Sequence, residues 1–278
     1  MYDPVRYKQD SIDNWNRRAR DYHDGWAGCG RGPFRSTKEL ADAADIRSGH
    51  AVLDVACGTG AVSSEVSKRL GPDGTLAGFD FARGALEIAR ANNPQGHFAE
   101  MDAEHPGLRP GLFDRVVCQY ALMFFPEPAG ALAQIRGLMK RGGKGRLAVA
   151  VHGDAKGVPY FGIMMDAITR HVPGIGQEGA PTVTRLGDPD RLKSVIESAG
   201  FVDVSVRRFT FEYDAGTFGQ YWSDYSTTTA AAIWPRVEAS GFVEKIRADA
   251  EQSARPFARE NGRLVLPWDV LIATAATK

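Results

Sequence analysis

Between residues 38 and 151, short apolar runs alternate with stretches whose apolar residues return every three or four positions. The short runs predict strands and the periodic stretches predict helices. Residues 38–45 read as a short helix, 51–56 (AVLDVA) as a strand and 61–70 as a helix. The turn 71–74 then opens a second strand at 75–80 (TLAGFD). A helix over 82–93 and strands over 97–102 and 113–119 continue the rhythm. A further helix carries Leu132, Ile135, Leu138 and Met139 on one face, Gly142 and Gly143 stop it, and a fifth strand covers 145–151. Such alternation predicts an α/β fold: a Rossmann-like, mostly parallel sheet with helices on both faces and right-handed crossovers.

The rhythm breaks after residue 151. Residues 153–187 are rich in glycine and proline around one predicted helix (YFGIMMDAITRHV, 160–172). It resumes with a helix bearing Leu192, Val195, Ile196 and Ala199. A period-two strand follows over 201–213, then an aromatic helical stretch to about 260 and a last strand over 268–277. Pro267 argues against extending that strand backward, because proline gives no ladder hydrogen bond. This divides the chain into an N-terminal lid segment (1–37), a cofactor-binding core (38–152), a cap insertion (153–187) and a completion of the sheet (188–278) with a second cap insertion at about 209–262.

Composition narrows the class. Apolar residues make up 43% and charged residues 24%, with 34 basic against 34 acidic side chains, so no overall field draws in a polyanion and no nucleic-acid partner is expected. Three cysteines without C-x-x-C spacing suggest reduced thiols and a cytoplasmic setting. The start has no signal-peptide pattern, the apolar runs are too short to span a membrane, and no metal is expected.

The chemistry concentrates in VLDVACGTG, residues 52–60. An acid inside an apolar strand is costly without partners, and two glycines directly after it suit a turn that a ligand approaches closely. A tight strand-to-helix turn would explain the glycines alone. Asp80 ends the second strand, where a carboxylate accepts from both hydroxyls of an adenosine ribose or caps the following helix. Asp102 ends the third strand, where it accepts from an adenine amino group or shapes a turn. Asp54 points near the ligand's polar end or binds loop N–H groups. Three acids at successive strand ends beside a glycine turn favour the adenosine ligand. The third glycine of a dinucleotide fingerprint is replaced by Ser63, and neither a Y-x-x-x-K pair nor a G-x-x-x-x-G-K-[ST] loop occurs. The missing third glycine and the missing Y-x-x-x-K pair count against a nicotinamide-dependent oxidoreductase, the first rival reading. A non-catalytic nucleotide-binding protein on the same sheet is another.

Together VLDVACGTG, GFD, AEMDAEHPGL and FDRVVCQYALMFFPEPAGALAQIRGLMKRGGKGRLAV resemble the class I S-adenosylmethionine-dependent methyltransferases, most closely those of the ubiquinone/menaquinone biosynthesis type. The resemblance covers about 38–151 and, more loosely, 199–206. It implies a seven-stranded sheet with an antiparallel last strand, and S-adenosyl-L-methionine as cofactor. The loop from Ala56 through Gly58 to Gly60 matches the segment at the methionyl part, and Asp54 the acid near its amine. Asp80 matches the ribose acid with Phe81 beside the adenine. Asp102 and Ala103 match the adenine-edge pair, and Gln119 the residue after the fourth strand. NWNRRARDYHDGW resembles the helix that closes over the cofactor, with Tyr22 and Arg17 toward the methionyl carboxylate. Arg141 stands where relatives often have proline, a turn detail. CQYA, in place of a Pro-Pro-aromatic motif, counts against a nucleic-acid methyltransferase.

The expected activity is methyl transfer to a small, partly apolar acceptor. The aromatic residues of 1–37, 153–187 and 209–262 are candidates to line its pocket. A general base is needed only if the acceptor must lose a proton. His152, at the end of the fifth strand, is the first candidate, followed by Tyr120 and His171; each has a structural role as its alternative.

Overall fold

The computed structural model describes residues 2–176 and 179–278. In the N-terminal half the elements run α1 (Pro4–Tyr22), α2 (Thr37–Ala43), β1 (Ala51–Val55), α3 (Ala61–Leu70), β2 (Thr75–Asp80), α4 (Arg83–Asn92), β3 (His97–Glu100), β4 (Arg115–Gln119), α5 (Pro128–Leu138) and β5 (Arg146–His152). Then follow α6 (Pro159–His171), α7 (Pro189–Ser198), β6 (Val202–Thr217), α8 (Phe218–Asp224), α9 (Trp234–Ala239), α10 (Val243–Ala254) and β7 (Arg263–Ala276). The seven strands form one sheet in the order β3-β2-β1-β4-β5-β7-β6. β1 pairs in parallel with both β2 and β4, so the chain reverses its direction of travel across the sheet there. β7 lies antiparallel to β5, with Arg146 opposite Ala276 and His152 opposite Val270.

The chain divides into two compact units. The larger comprises 8–152, 181–209 and 270–278. Its central strands β1, β4 and β5 are buried along nearly their whole length, as parallel strands covered by helices are, whereas edge strand β3 is largely exposed. Val52, Leu53, Val116, Val117, Leu147 and Val149 are buried, as are Val62 and Val66 of α3, Leu86 of α4 and Leu132 and Ile135 of α5. Burying each such side chain contributes roughly 1.5–3 kcal/mol. The helices begin where local chemistry starts them: in α7, Pro189 sits at the first position and the Asp188 carboxylate accepts from Arg191 N–H at 2.8 Å.

The smaller unit comprises 1–7, 153–180 and 210–269. Its core is aromatic. The Trp268 ring lies 5.2 Å from Tyr160, 5.3 Å from Phe161 and 5.3 Å from Tyr213, at angles from tilted to edge-on.

Two expectations about strands change. β6 runs on to Thr217, where a capping box with Gln220 starts α8. β7 begins at Arg263 and passes through Pro267. The pairing of β5 with β7 ends at Val270, so on that side no ladder bond is required of the Pro267 nitrogen.

Candidate active site

β1 ends in a turn that carries strain. Ala56 has φ 51°, Gly58 φ 53° and Gly60 φ 84°, all left-handed. For alanine this costs on the order of 1–2 kcal/mol. Cys57 N–H donates to Phe79 O at 3.0 Å and Gly58 N–H to Asp80 Oδ2 at 2.9 Å, which ties the turn to the end of β2. The two glycines differ. A Cβ on Gly60 would stand 2.5 Å from Asn93 Nδ2 and 3.2 Å from the Ala89 backbone, so this glycine is required by packing against α4. A Cβ on Gly58 would meet nothing within 4 Å. Gly58 therefore faces open space.

The three acids occupy different environments. Asp54 is buried and its Oδ2 accepts from Ser63 Oγ at 2.6 Å. Burial raises its pKa to about 7, against the pull of the Ser63 bonds and with some push from Asp80. Ser63 stands where a dinucleotide fingerprint has its third glycine, and its hydroxyl serves this acid. Asp80 is also buried. Its Oδ1 accepts from Ala82 N–H at 2.8 Å, so it holds the start of α4 as well as the Gly58 turn. Burial raises its pKa despite those N–H donors. Asp102 is half-exposed, accepting from Lys8 Nζ at 2.7 Å and from Glu104 N–H at 2.9 Å. What burial it has works to raise its pKa, but the bonds from Lys8 and Glu104 outweigh this and leave it below the usual range. Phe81 follows Asp80 directly. Ala103 is buried, and its N–H donates to no group among the described residues.

At the end of β4, Tyr120 also takes a left-handed backbone, φ 55°. Its hydroxyl donates to Pro33 O at 2.8 Å and lies 2.6 Å from Ser36 Oγ. Gln119 Nε2 donates to Ser36 Oγ at 3.2 Å, and Gln119 Oε1 accepts from Thr37 Oγ1 at 3.1 Å. The segment 33–37 is thus clamped to the carboxyl end of β4. The His152 ring stacks on Tyr120 at 4.3 Å and 12°. A line of rings continues from Tyr120 to Phe34 (5.9 Å), Tyr22 (5.7 Å) and Trp15 (5.1 Å). Burial pushes the His152 pKa down to about 3 and the Tyr120 hydroxyl well above its ordinary value. At neutral pH the imidazole is uncharged and the phenol keeps its proton. Burial likewise raises the Tyr22 hydroxyl.

His171 belongs to the smaller unit, where its Nε2 lies 3.0 Å from Asp249 Oδ2 and its ring stacks on Phe242. Arg17 is exposed, while its neighbour Arg18 lies over the Trp15 ring at 5.9 Å. Lys8, Ser36 and Thr37 escape sequence reading. Ser36 and Thr37 carry the signature of a helix start, and Lys8 carries no local signal. A cavity of about 470 Å³ opens on the flank of the same turn, lined by His23, Phe34, Thr37, Thr59, Gly60 and Lys68. It borders the packed glycine and neither Asp80 nor Asp102.

The residues fit an adenosyl ligand with a cationic amino-acid end. Acids stand at the ends of β1 and β2 and just beyond β3, the turn opens at Gly58, and the buried Ala103 N–H is a free donor beside Asp102. The family model described as "Methyltransferase domain" matches residues 52–143, from β1 to just short of β5. Residues 52–143 are thus similar to a methyltransferase domain. It is 33% identical over 112 residues to aklanonic acid methyltransferase DauC of Streptomyces sp. (strain C5). That match covers 38% of this chain and 51% of that enzyme, about half the relative's length. It is 28% identical over 179 residues to demethylmenaquinone methyltransferase of Staphylococcus aureus, covering 59% of this chain and 73% of that one. Among solved structures, phosphoethanolamine N-methyltransferase 2 of Haemonchus contortus, in complex with S-adenosyl-L-methionine, shares the fold. Its TM-score is 0.54 at 12% identity, over 87% of this chain and 52% of that chain. The expected Rossmann-like sheet with its antiparallel last strand is therefore the observed one.

Proposed function

We propose that this protein is a methyltransferase that moves a methyl group from S-adenosyl-L-methionine to a small, partly apolar molecule. The observation that carries the reading is the coincidence of the methyltransferase-domain match with the carboxyl ends of β1–β3, where Asp54 and Asp102 stand and Asp80 holds the open Gly58 turn. Asp80 and Phe81 are assigned to the ribose and adenine, Asp102 and Ala103 to the adenine edge. Asp54, Ala56, Gly58, Gly60, Gln119 and Tyr22 are assigned to the methionyl side. Gly60 acts there through packing of the turn, and Gln119 through the clamp on Ser36 and Thr37.

Bound here, the cofactor supplies an electrophilic methyl group on a cationic sulfur. The chain's own part is to orient the partners and exclude water. The ring faces of Tyr22, Phe34 and Tyr120 suit both an apolar acceptor and a sulfonium charge. His152, with a pKa near 3, is a weak base, and Tyr120 holds its proton; both fit a positioning role better than proton removal. The paired His171 fits a structural role within its own unit. The acceptor class agrees with the substrates in the names of the two relatives, aklanonic acid and demethylmenaquinone. Among the described residues no helix is long and apolar enough to cross a membrane. We assign the protein to the cytoplasm on its three unpaired cysteines, and exclude nucleic acid as acceptor on its even charge balance.

The test is incubation with methyl-labelled S-adenosyl-L-methionine and a small-molecule extract, read by mass spectrometry. Label in an apolar metabolite, absent with a Gly58→Val variant, is the expected result. Label confined to nucleic acid, or no transfer to any fraction, contradicts the reading.

A further inference from the structure

We propose that Lys8 is a specificity-determining residue of the cofactor site, reading adenine N7 while its partner Asp102 accepts from the adenine amino group. The proposal rests on the assignment of Asp102 to adenine. Lys8 lies in the first half of α1, far in sequence from the core motifs, yet its Nζ is 2.7 Å from Asp102 Oδ2 and also bonds Glu104 Oε2. The placement is built. Glu104 Oε1 accepts from Glu127 N–H at 2.8 Å, so the acid beside Lys8 is itself held by the residue before α5. Further along α1, Asn16 Oδ1 accepts from Gly84 N–H at 2.9 Å, and Trp15 and Ala19 pack on Ala82, Ala85 and Ile88. The helix is pinned along the loops that follow β2 and β3.

Donor and acceptor counts support the assignment. An ammonium has three N–H donors, and two are used on Asp102 and Glu104, which leaves one. Each Asp102 oxygen has one recorded partner and a second lone pair to offer. An acceptor and a donor side by side match the N6-amino donor and N7 acceptor that adenine presents along one edge. Guanine and hypoxanthine present two acceptors there and would set an oxygen against the Asp102 carboxylate. With Ala103 N–H beside them, these groups form a base-reading set that starts on α1.

The test is calorimetric titration with S-adenosylhomocysteine and its 7-deaza analogue, which keeps the amino group and lacks the N7 acceptor. Wild type should bind the analogue about three- to tenfold more weakly, a charge-assisted bond reduced by partial exposure. Lys8→Met should bind S-adenosylhomocysteine weaker by the same factor and no longer distinguish the two ligands, and Lys8→Arg should restore part of the difference. Equal binding of both ligands by wild type overturns the proposal alone. So does unchanged or tighter binding by Lys8→Met, which would make the ammonium a competitor for Asp102. Failure of wild type to bind S-adenosylhomocysteine at all overturns the functional reading, and this proposal with it.

Discussion

The turn after β1 and the loop after β3 handle negative charge in opposite ways. At the first, Asp54 is buried with Ser63 as its partner, and its carboxyl sits near pKa 7. At the second, Asp102 is half-exposed, paired with Lys8, and held below the usual carboxylate range. The loop is electrostatically complete before any ligand arrives, whereas the turn has an acid whose charge becomes favourable only when a cation lies beside it. Asp80 lies between them, buried like the first and bonded to two backbone N–H groups. Under the proposed cofactor assignment, this arrangement concentrates ligand dependence at β1 and base recognition at β3.

The comparison is sharpened most by the two glycines of the turn. Gly58→Val should abolish cofactor binding with the sheet intact by circular dichroism, since the branched side chain enters open space beside the turn, while its left-handed φ of 53° adds a local strain that lowers the thermal midpoint too. Gly60→Ala should lower the thermal midpoint without blocking the open side of the turn, because its Cβ meets Asn93 and Ala89. Gly60→Ala with wild-type stability would contradict that division of roles. Next is Asp80→Ala, expected to weaken binding by about 10- to 100-fold, as bonds to a charged group contribute on the order of 1.5–3 kcal/mol. It should also melt earlier, since the Gly58 and Ala82 N–H groups lose their acceptor. Earlier melting with normal binding would leave Asp80 a purely structural acid. Asp102→Ala should cost less, about threefold to tenfold in affinity, because its site is partly exposed.

The pH dependence follows from the same contrast. Asp54 has a folded pKa near 7 against an ordinary 3.8, so its protonated form is favoured in the fold. Its contribution to stability is present below pH 3.8 and is lost as pH rises through 7. Asp54→Asn should therefore melt about 2–6 °C above wild type at pH 8. Cofactor affinity should move the other way, falling up to about tenfold from pH 8 to pH 6 as Asp54 takes up a proton, with no such fall in Asp54→Asn. His152 has a folded pKa near 3 against 6.5, so its contribution is lost as pH falls below 6.5. A His152→Asn variant with unchanged acid stability would contradict the buried neutral imidazole.

Much of this was legible in the sequence because local rules acted alone. The strand–helix alternation and the acids at strand ends are periodicity and turn chemistry read within a few residues, whereas Gly142–Gly143 do not stop α5: it ends at Leu138, and Met139 leaves the helix face to bridge Phe113 in extended conformation. The strand through Pro267 was not legible, since whether a proline nitrogen owes a ladder bond depends on where β5 stops pairing. Nor were the separate roles of Gly58 and Gly60, which look alike until Asn93 is placed beside one of them. Ser63 read as a missing glycine, and only the fold brings its hydroxyl to Asp54. Lys8 is the extreme case, a lysine on a polar helix whose partners lie 94 residues away in sequence or farther.

The central claim is that the carboxyl ends of β1–β3 bind an S-adenosyl ligand. Calorimetric titration of wild type and Asp80→Ala with S-adenosylhomocysteine and with NADH, all at pH 8, tests it most directly. Wild type should bind S-adenosylhomocysteine with a dissociation constant in the micromolar range, roughly −7 to −8 kcal/mol, Asp80→Ala far more weakly, and NADH neither. Clear heat with NADH and none with S-adenosylhomocysteine would contradict the account.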